Sequence, residues 1–121
     1  MPQADERIER GNLQECIELC LQCYRTCLAM ATNMCLEEGG RHAEPCHITL
    51  MLGCAEICRS SAHFMLMNAK LHHKVCGVCA EVCEACAVSC SQLNDMEECV
   101  EICRRCAASC RAMAFGATAE V

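Results

Sequence analysis

The amino-acid sequence predicts an all-α fold, an antiparallel up-down-up-down four-helix bundle with a cysteine-lined core. Cysteines recur at steps of three and four residues, most densely from Cys76 to Cys110, and residues at that spacing share one face of an α-helix. Three short breaks divide the pattern into four segments of about 18 to 25 residues, and helices with short connections favour an antiparallel bundle. We expect a single domain over residues 1–121, since a chain of this length buries one modest core.

The first helix is predicted at residues 12–38. Asn12 and Glu15 have the spacing of a capping box at its start, and the two glycines at 39–40 favour its end. Cys35 lies one residue out of register with the other cysteines of this helix. The cysteines in register are Cys16, Cys20, Cys23 and Cys27.

The second helix is predicted at residues 45–68, because Pro45 suits the first position of a helix. Cys46 lies one step off the sulfur-bearing face of this helix. The residues that keep the helical spacing on that face are His47, Met51, Cys54, Cys58, Ser61 and Met65.

The third and fourth helices are predicted at residues 72–93 and 95–114. His72 begins the third helix, and Asp95 with Glu98 has the spacing of a capping box for the fourth. The cysteines that share a face are Cys76, Cys79, Cys83, Cys86 and Cys90 in the third helix and Cys99, Cys103, Cys106 and Cys110 in the fourth.

The composition indicates either a disulfide scaffold or a metal protein, because the chain has 17 cysteines and only 2% aromatic residues. The N-terminus has no apolar run typical of an export signal, so we expect a cytoplasmic protein with reduced thiols. Cysteines at i and i+4 of a helix have Cβ atoms about 5–6 Å apart, which is too far for a disulfide. These observations favour metal binding.

Charge and hydropathy exclude two classes of partner. The net charge is −6 and no cluster of lysines and arginines is present, so we expect neither nucleic acid nor an anionic membrane surface as a partner. The longest apolar run, 48–55, is far shorter than the roughly 20 residues that span a bilayer.

Thiolates are soft ligands that suit Cu(I), Zn(II) and iron–sulfur clusters. A two-coordinate Cu(I) separates its sulfurs by roughly 4–4.5 Å, a distance that CxxxC on a helix can bridge. One Cu(I) per thiolate leaves a neutral core, whereas four thiolates around Zn(II) leave a charge of about −2. The C-P ending of a ferredoxin run is absent, and no βαβ pattern supports a thioredoxin-like role for Cys76 and Cys79. If the cysteines served only as small hydrophobic side chains, they would leave the core between the helices poorly filled.

We predict that every cysteine is a metal ligand, together with one histidine and two methionines. His42, His63, His72 and His73 are expected to be surface or helix-end residues instead. The predicted ligands are Cys16, Cys20, Cys23, Cys27, Cys35, Cys46, Cys54, Cys58, Cys76, Cys79, Cys83, Cys86, Cys90, Cys99, Cys103, Cys106, Cys110, His47, Met51 and Met96.

An antiparallel bundle brings the end of the first helix, the start of the second, the end of the third and the start of the fourth to one end, which we call the mouth. Thioethers and imidazole bind Cu(I) without losing a proton, so we expect copper to enter at the mouth and pass to thiolates further inside. The soft ligands expected there are Met30, Met34, Cys35, Cys46, His47, Met51, Cys90, Met96 and Cys99. The opposite end, with His63, Met65, His72 and Met113, is the competing route.

Four segments, CIELCLQCYRTC, CAEICRSSAHFM, VCGVCAEVCEACAVSC and CVEICRRCAASC, carry a resemblance that covers nearly the whole chain. The sequence resembles the bacterial copper storage proteins, specifically their cytosolic branch. The resemblance implies a homo-oligomer, commonly a tetramer, in which each bundle fills with many Cu(I) ions held mainly by cysteines. Relatives often carry a histidine before the fourth helix, and the connection at 91–96 has none.

The main hypothesis is therefore a cytoplasmic Cu(I) store that releases its ions reversibly and is not an enzyme. The alternatives are a zinc-thiolate buffering protein and a thiol redox or disulfide-exchange protein. A homo-oligomer is also expected from an apolar stripe on the first helix, which either faces another subunit or widens the core contact within the chain. This stripe consists of Ile17, Leu21, Tyr24 and Leu28.

Overall fold

The structure, a computed structural model, describes residues 4–119 and the side chains of residues 12–115, so the two ends of the predicted 1–121 domain lie outside the described residues. Helix α1 (Ala4–Met30) continues through a π-helical turn (Ala31–Cys35) and a last short turn (Leu36–Glu38). A 3-10 turn (Gly40–Ala43) leads to α2 (Pro45–Leu66), which is followed by α3 (His72–Ser91) and α4 (Glu97–Ala119).

The four helices form the predicted bundle, and the described residues contain no strand. Helix α1 packs against α2 and α4, and α3 packs against the same two helices. Consecutive helices are thus neighbours, and α4 closes the ring by returning to α1. The all-α four-helix prediction is confirmed. No helix of the described chain combines the length and the hydropathy needed to cross a membrane.

The helix ends that depend on backbone conformation agree with the sequence prediction. Gly39 and Gly40 have φ angles of 73° and 56°, in the left-handed region that glycine adopts without strain, and they end the first helix. Pro45 begins α2 and His72 begins α3, as predicted.

Other predicted boundaries were wrong. The first helix begins at Ala4 rather than residue 12, and Asn12 lies inside it as an exposed residue. A glycine inside a helix costs only about 1 kcal/mol, so Gly11 does not end this segment, which is otherwise rich in glutamate and arginine. The fourth helix begins at Glu97 rather than residue 95, because Asp95 has a φ of 63° and does not take the extended conformation of an N-cap residue.

The remaining differences are at helix C-termini. Helix α2 ends at Leu66 rather than at residue 68, and Asn68 has a left-handed φ of 53°. Helix α3 ends at Ser91 rather than residue 93, and α4 continues to Ala119 rather than residue 114.

The π-helical turn changes which side chain of the first helix faces the core. A π turn accommodates one extra residue, so every later side chain is rotated relative to an α-helix. Cys35 consequently faces inward and has no exposed surface, whereas Met34 is only half-buried. The prediction that Cys35 lies out of register with the other thiols was therefore wrong.

The core consists largely of sulfur-bearing side chains. Every cysteine except Cys46 is buried, and the large side chains buried with them are Met51, Met65 and Met96. Small buried alanines flank the thiols on α2, α3 and α4, which lets these helices approach their neighbours. The apolar stripe of α1 also contacts this core: Ile17 is 3% exposed, and the other three members are partly buried against it.

Candidate metal centre

The middle of the bundle brings thiols of α1, α2 and α4 together. Cys27 Sγ lies 3.6 Å from Cys103 Sγ and 4.0 Å from Cys54 Sγ. Cys23 Sγ lies 3.8 Å from Cys103 and 3.9 Å from both Cys27 and Cys54. The four sulfurs all lie within 4.8 Å of one another, so they can share a metal ion.

Cys58 of α2 joins this group to α3. Its Sγ lies 3.5 Å from Cys83, 3.6 Å from Cys79 and 3.8 Å from Cys106. Cys83 is in turn 3.7 Å from Cys54. A single thiol therefore contacts sulfurs on two other helices, which is the geometry that a thiolate bridging several metal ions requires.

The thiol network continues to the end of the bundle opposite the mouth. Cys20 Sγ is 3.7 Å from Cys106 and 3.5 Å from Cys110, and Cys110 is 3.7 Å from Cys16. Cys16, Cys76 and Cys110 form a group of three thiols, one from each of α1, α3 and α4. In this region α2 contributes the buried Ser61 in place of a cysteine.

At the mouth, Cys35 is surrounded by one imidazole and two thioether groups. Its Sγ lies 3.7 Å from His47 Nε2, 3.7 Å from Met51 Sδ and 3.7 Å from Met96 Sδ. His47 Nδ1 is 2.8 Å from the Ser89 hydroxyl oxygen, a hydrogen bond that fixes the ring with Nε2 towards Cys35. The structure thus brings together the histidine and both methionines that the sequence singled out.

Two further sulfur pairs lie close to the mouth. Cys86 and Cys90 of α3 are 4.0 Å apart, and Cys99 Sγ is 3.1 Å from Met30 Sδ. These pairs, the three groups above and the mouth account for every predicted cysteine except Cys46. Cys46 is exposed beside the mouth and contacts none of the buried sulfurs, so the structure does not bring it into the network.

The other histidines lie where they were expected, at helix ends and in the connections. His42 Nε2 is 2.8 Å from the Asn94 carbonyl oxygen and ties the first connection to the last. His63 is exposed, and the ring of His72 lies 3.9 Å from that of His73.

Sequence reasoning missed Ser89 as the partner of His47. Ser89 lies three residues after Cys86, a spacing that places it near the ligand-bearing face of α3, but the sequence gives no sign that it contacts His47 of α2. The contact of His42 with Asn94 was missed as well, because it joins two irregular connections.

Hydrogen bonds between thiols shift their acidity in opposite directions. Hydrogen bonding with Cys103 and Cys23 lowers the pKa of Cys27 to about 2. Hydrogen bonding with Cys23 and Cys27, with burial adding to it, raises the pKa of Cys103. A thiolate stabilised by neighbouring S–H donors leaves those donors protonated. At the mouth, hydrogen bonding with Cys86 and Cys99 lowers the pKa of Cys90 to about 4.

The arrangement suits closely spaced soft ions. All described cysteines are free thiols, and the distances between neighbouring cysteine sulfurs, 3.5 to 4.0 Å, are too long for disulfides but place several thiols around each gap between them. Thiolate, thioether and imidazole ligands in one network favour Cu(I).

Comparison with known proteins agrees with this chemistry. A family model described as copper storage protein matches residues 9–115. A crystal structure of a protein from Nitrosospira multiformis is 59% identical, covers 88% of this chain and 97% of its own, and superposes with a TM-score of 0.87. The Cu(I)-bound copper storage protein BsCsp3 is 33% identical, with 85% of this chain and 98% of that chain covered and a TM-score of 0.78. An uncharacterized cysteine-rich protein, YhjQ, of Bacillus subtilis (strain 168) is 34% identical over 79 residues, which is 65% of this chain and 72% of the relative.

The family match covers most of the chain, and the fold is shared over almost the full length of both solved structures. Together with the thiol network on all four helices, these similarities establish the family predicted from the cysteine motifs. This chain belongs to the copper storage protein family.

Proposed function

We propose that this protein stores many Cu(I) ions inside its helix bundle and releases them by ligand exchange. The observation that carries this proposal is the continuous network of buried free thiols. From Cys27 the sulfurs of Cys54, Cys83 and Cys58 follow one another at 4.0, 3.7 and 3.5 Å. The same network continues through Cys106, Cys20, Cys110 and Cys16 at 3.8, 3.7, 3.5 and 3.7 Å.

Electroneutrality supports many ions rather than a few. Buried charges are costly unless they are compensated, and a thiolate that binds one Cu(I) contributes no net charge. The described core offers no buried lysine or arginine to compensate thiolates in any other way. Filling with about one Cu(I) per buried thiol, about 16 ions, therefore gives the most stable interior.

The mouth is the proposed point of copper uptake and release. Cys35, His47, Met51 and Met96 form a compact site there, in which three ligands bind Cu(I) without losing a proton. Cys90 lies on α3 at the same end of the bundle. Its pKa is lowered, so it would accept the ion as a thiolate. The opposite end has buried Met65 and His72, so it remains the competing route.

Zinc buffering is the nearer alternative, because the four-thiol groups have the ligand number of a structural zinc site. These groups share members, however. Only two groups of four thiols that have no cysteine in common can hold zinc at the same time. Each zinc site would leave a charge of about −2 in the core. The core geometry thus favours Cu(I) and predicts low zinc capacity.

A redox or disulfide-exchange role is the other alternative, and burial argues against it. Exchange needs an accessible thiolate, and among the described cysteines only Cys46 is exposed. We further propose that the protein is cytoplasmic, where its thiols stay reduced, that it has no catalytic activity, and that it forms a homo-oligomer, by resemblance a tetramer.

The test is an anaerobic titration of the reduced protein with Cu(I) in the presence of a competing chelator. Uptake of about 16 or 17 ions per chain supports the store. Uptake that saturates at a few ions contradicts it. A parallel Zn(II) titration separates the alternatives, since a zinc buffer would bind zinc more tightly than the chelator at two sites while a copper store would not.

A further inference from the structure

The mouth is closed to solvent. Of Cys35 and the three ligands around it, three side chains have no exposed surface and His47 is only 5% exposed. A Cu(I) ion from solvent therefore cannot contact these ligands until part of the protein moves. The irregular segments at this end of the bundle are the first connection, residues 39–44, and the last connection, residues 92–96.

One hydrogen bond joins these two connections. The ring Nε2–H of His42 donates to the Asn94 carbonyl oxygen at 2.8 Å, and within residues 12–115 no other hydrogen bond runs between the two segments. The next residue, Asp95, has a left-handed φ of 63°, a conformation that costs free energy for a residue other than glycine. The Asn94–Asp95 peptide group takes its direction from this φ, so the bond to His42 helps to stabilise the strained backbone.

The ligands at the mouth come from both sides of this hydrogen bond. The first connection lies between Cys35 and His47, and the Cys35 carbonyl oxygen accepts a hydrogen bond from the Gly39 N–H at 3.1 Å. Met96 is the final residue of the last connection, and its Sδ lies 3.7 Å from Cys35 Sγ. Separation of the two connections would therefore draw Met96 away from Cys35 and open a path for the ion.

Both connections have room for such a movement. Gly39 and Gly40 begin the first connection, and no heavy atom beyond their chain neighbours lies within 4 Å of the point where a Cβ would be. The last connection borders an open groove of about 510 Å³ that is lined in part by Leu93 and Met96. Neither segment is packed tightly on every side.

We propose that the hydrogen bond from His42 to Asn94 is a latch on the mouth, and that Cu(I) passes between solvent and the buried ligands when this bond is broken. The inference rests on the proposed storage function and assigns the residue that sets the rate of copper passage. His42 is not itself a ligand, and copper stays Cu(I) throughout. A second hydrogen bond, from His47 to the Ser89 hydroxyl at 2.8 Å, joins α2 to α3 and keeps the imidazole in place while the connections open.

The test measures two rates under anaerobic conditions with the full chain. One is the removal of Cu(I) from the loaded protein by excess bathocuproine disulfonate, and the other is the uptake of Cu(I) by the apo protein from its complex with the same chelator. His42→Ala removes the hydrogen-bond donor, whereas His42→Gln keeps an amide N–H that can donate to the same carbonyl. The matched control is His63→Ala, which removes an exposed histidine near the other end of α2.

We expect His42→Ala to speed both removal and uptake about three- to tenfold, the change that loss of one hydrogen bond gives in a local opening equilibrium. His42→Gln should lie closer to the parent, and His63→Ala should match it. Backbone amide exchange in the apo His42→Ala chain should become faster at residues 93–96 and stay unchanged in the middle of the helices. Final copper capacity, which should be the same in every variant, reports on the storage function, whereas amide exchange tests the latch without copper.

Four results would overturn the inference. Slower uptake by His42→Ala would mean that His42 captures copper as a ligand, and unchanged rates would mean that its hydrogen bond does not limit passage. Equal acceleration in His63→Ala would mean that the loss of any histidine has the same effect. Faster amide exchange throughout all four helices of His42→Ala would mean that the substitution destabilises the whole bundle instead of opening its mouth.

Discussion

Replacing Cys83 and Cys103 by serine is expected to lower copper capacity without unfolding the apo protein. Between them these two residues belong to three of the groups of four thiols, and the group of Cys20, Cys79, Cys106 and Cys110 stays complete. Each lost thiolate removes one charge that a Cu(I) neutralises, and each bridges several neighbours, so we expect a loss of about two to four ions per chain.

The apo fold should survive this double substitution. Serine is close to cysteine in shape, and a buried hydroxyl without a full set of partners costs about 1–3 kcal/mol. Anaerobic Cu(I) titration against a chelator measures the capacity, and far-UV circular dichroism measures the helix content. Cys46→Ser is the matched control, because this exposed thiol lies outside the network and its loss should leave the capacity of the buried core unchanged.

Two results would refute this reasoning. An unchanged capacity in the double variant would mean that the thiols of these groups do not share ions. Loss of helix in the apo variant would mean that the cysteines act mainly as core filler, with metal binding as a secondary property.

Three further predictions concern the mouth, stability and pH. Replacing His47, Met51 and Met96 by alanine should slow both the loading of Cu(I) and its removal by a chelator, while final capacity changes by no more than one or two ions. If the combination of Met65→Ala and Met113→Ala slows loading and removal instead, copper enters at the opposite end. Filling with Cu(I) should raise the melting temperature measured by calorimetry, because ions bound only by the assembled bundle add their binding free energy to folding, and an unchanged value would place the ions outside the core. Hydrogen bonding with Cys106 and burial raise the pKa of Cys58, so this thiol is protonated at neutral pH and loses its one proton to the solvent when it binds Cu(I). Apparent Cu(I) affinity should therefore fall as pH falls, and weakly buffered titrations should record proton release on loading; affinity independent of pH would contradict thiolate ligation.

The sequence predicted most of the buried thiol network because helical periodicity and burial act on the same residues. Cysteines such as Cys23, Cys58 and Cys106 occupy positions that face the core in any regular helix with this repeat. Cys35 could not be placed this way, because a π turn inserts one residue without a sequence signature of its own. Contacts between irregular connections, such as that of His42 with Asn94, follow no repeat and needed the structure.

Helix boundaries show the complementary limit. The start at Ala4 was missed because a capping pattern at Asn12 suggested a local end, although the residues before it favour a helix too. The start of α4 was displaced by a capping pattern at Asp95 that the left-handed backbone of this residue does not allow.

The succession of thiol groups along the bundle has a consequence for the order in which ions leave. The buried network extends from the mouth to Cys16, and α3 alone carries it over the 14 residues from Cys90 to Cys76, about 21 Å along the helix axis. An ion near Cys16 must exchange through each thiol group between it and the mouth, so in a store open only at the mouth the newest ion is removed first. Loading with ⁶³Cu and then with ⁶⁵Cu, followed by partial removal with a chelator, would release mainly ⁶⁵Cu. Copper held near Cys16 would then be a long-term reserve, and copper near Cys35 would be the fraction that responds to immediate demand.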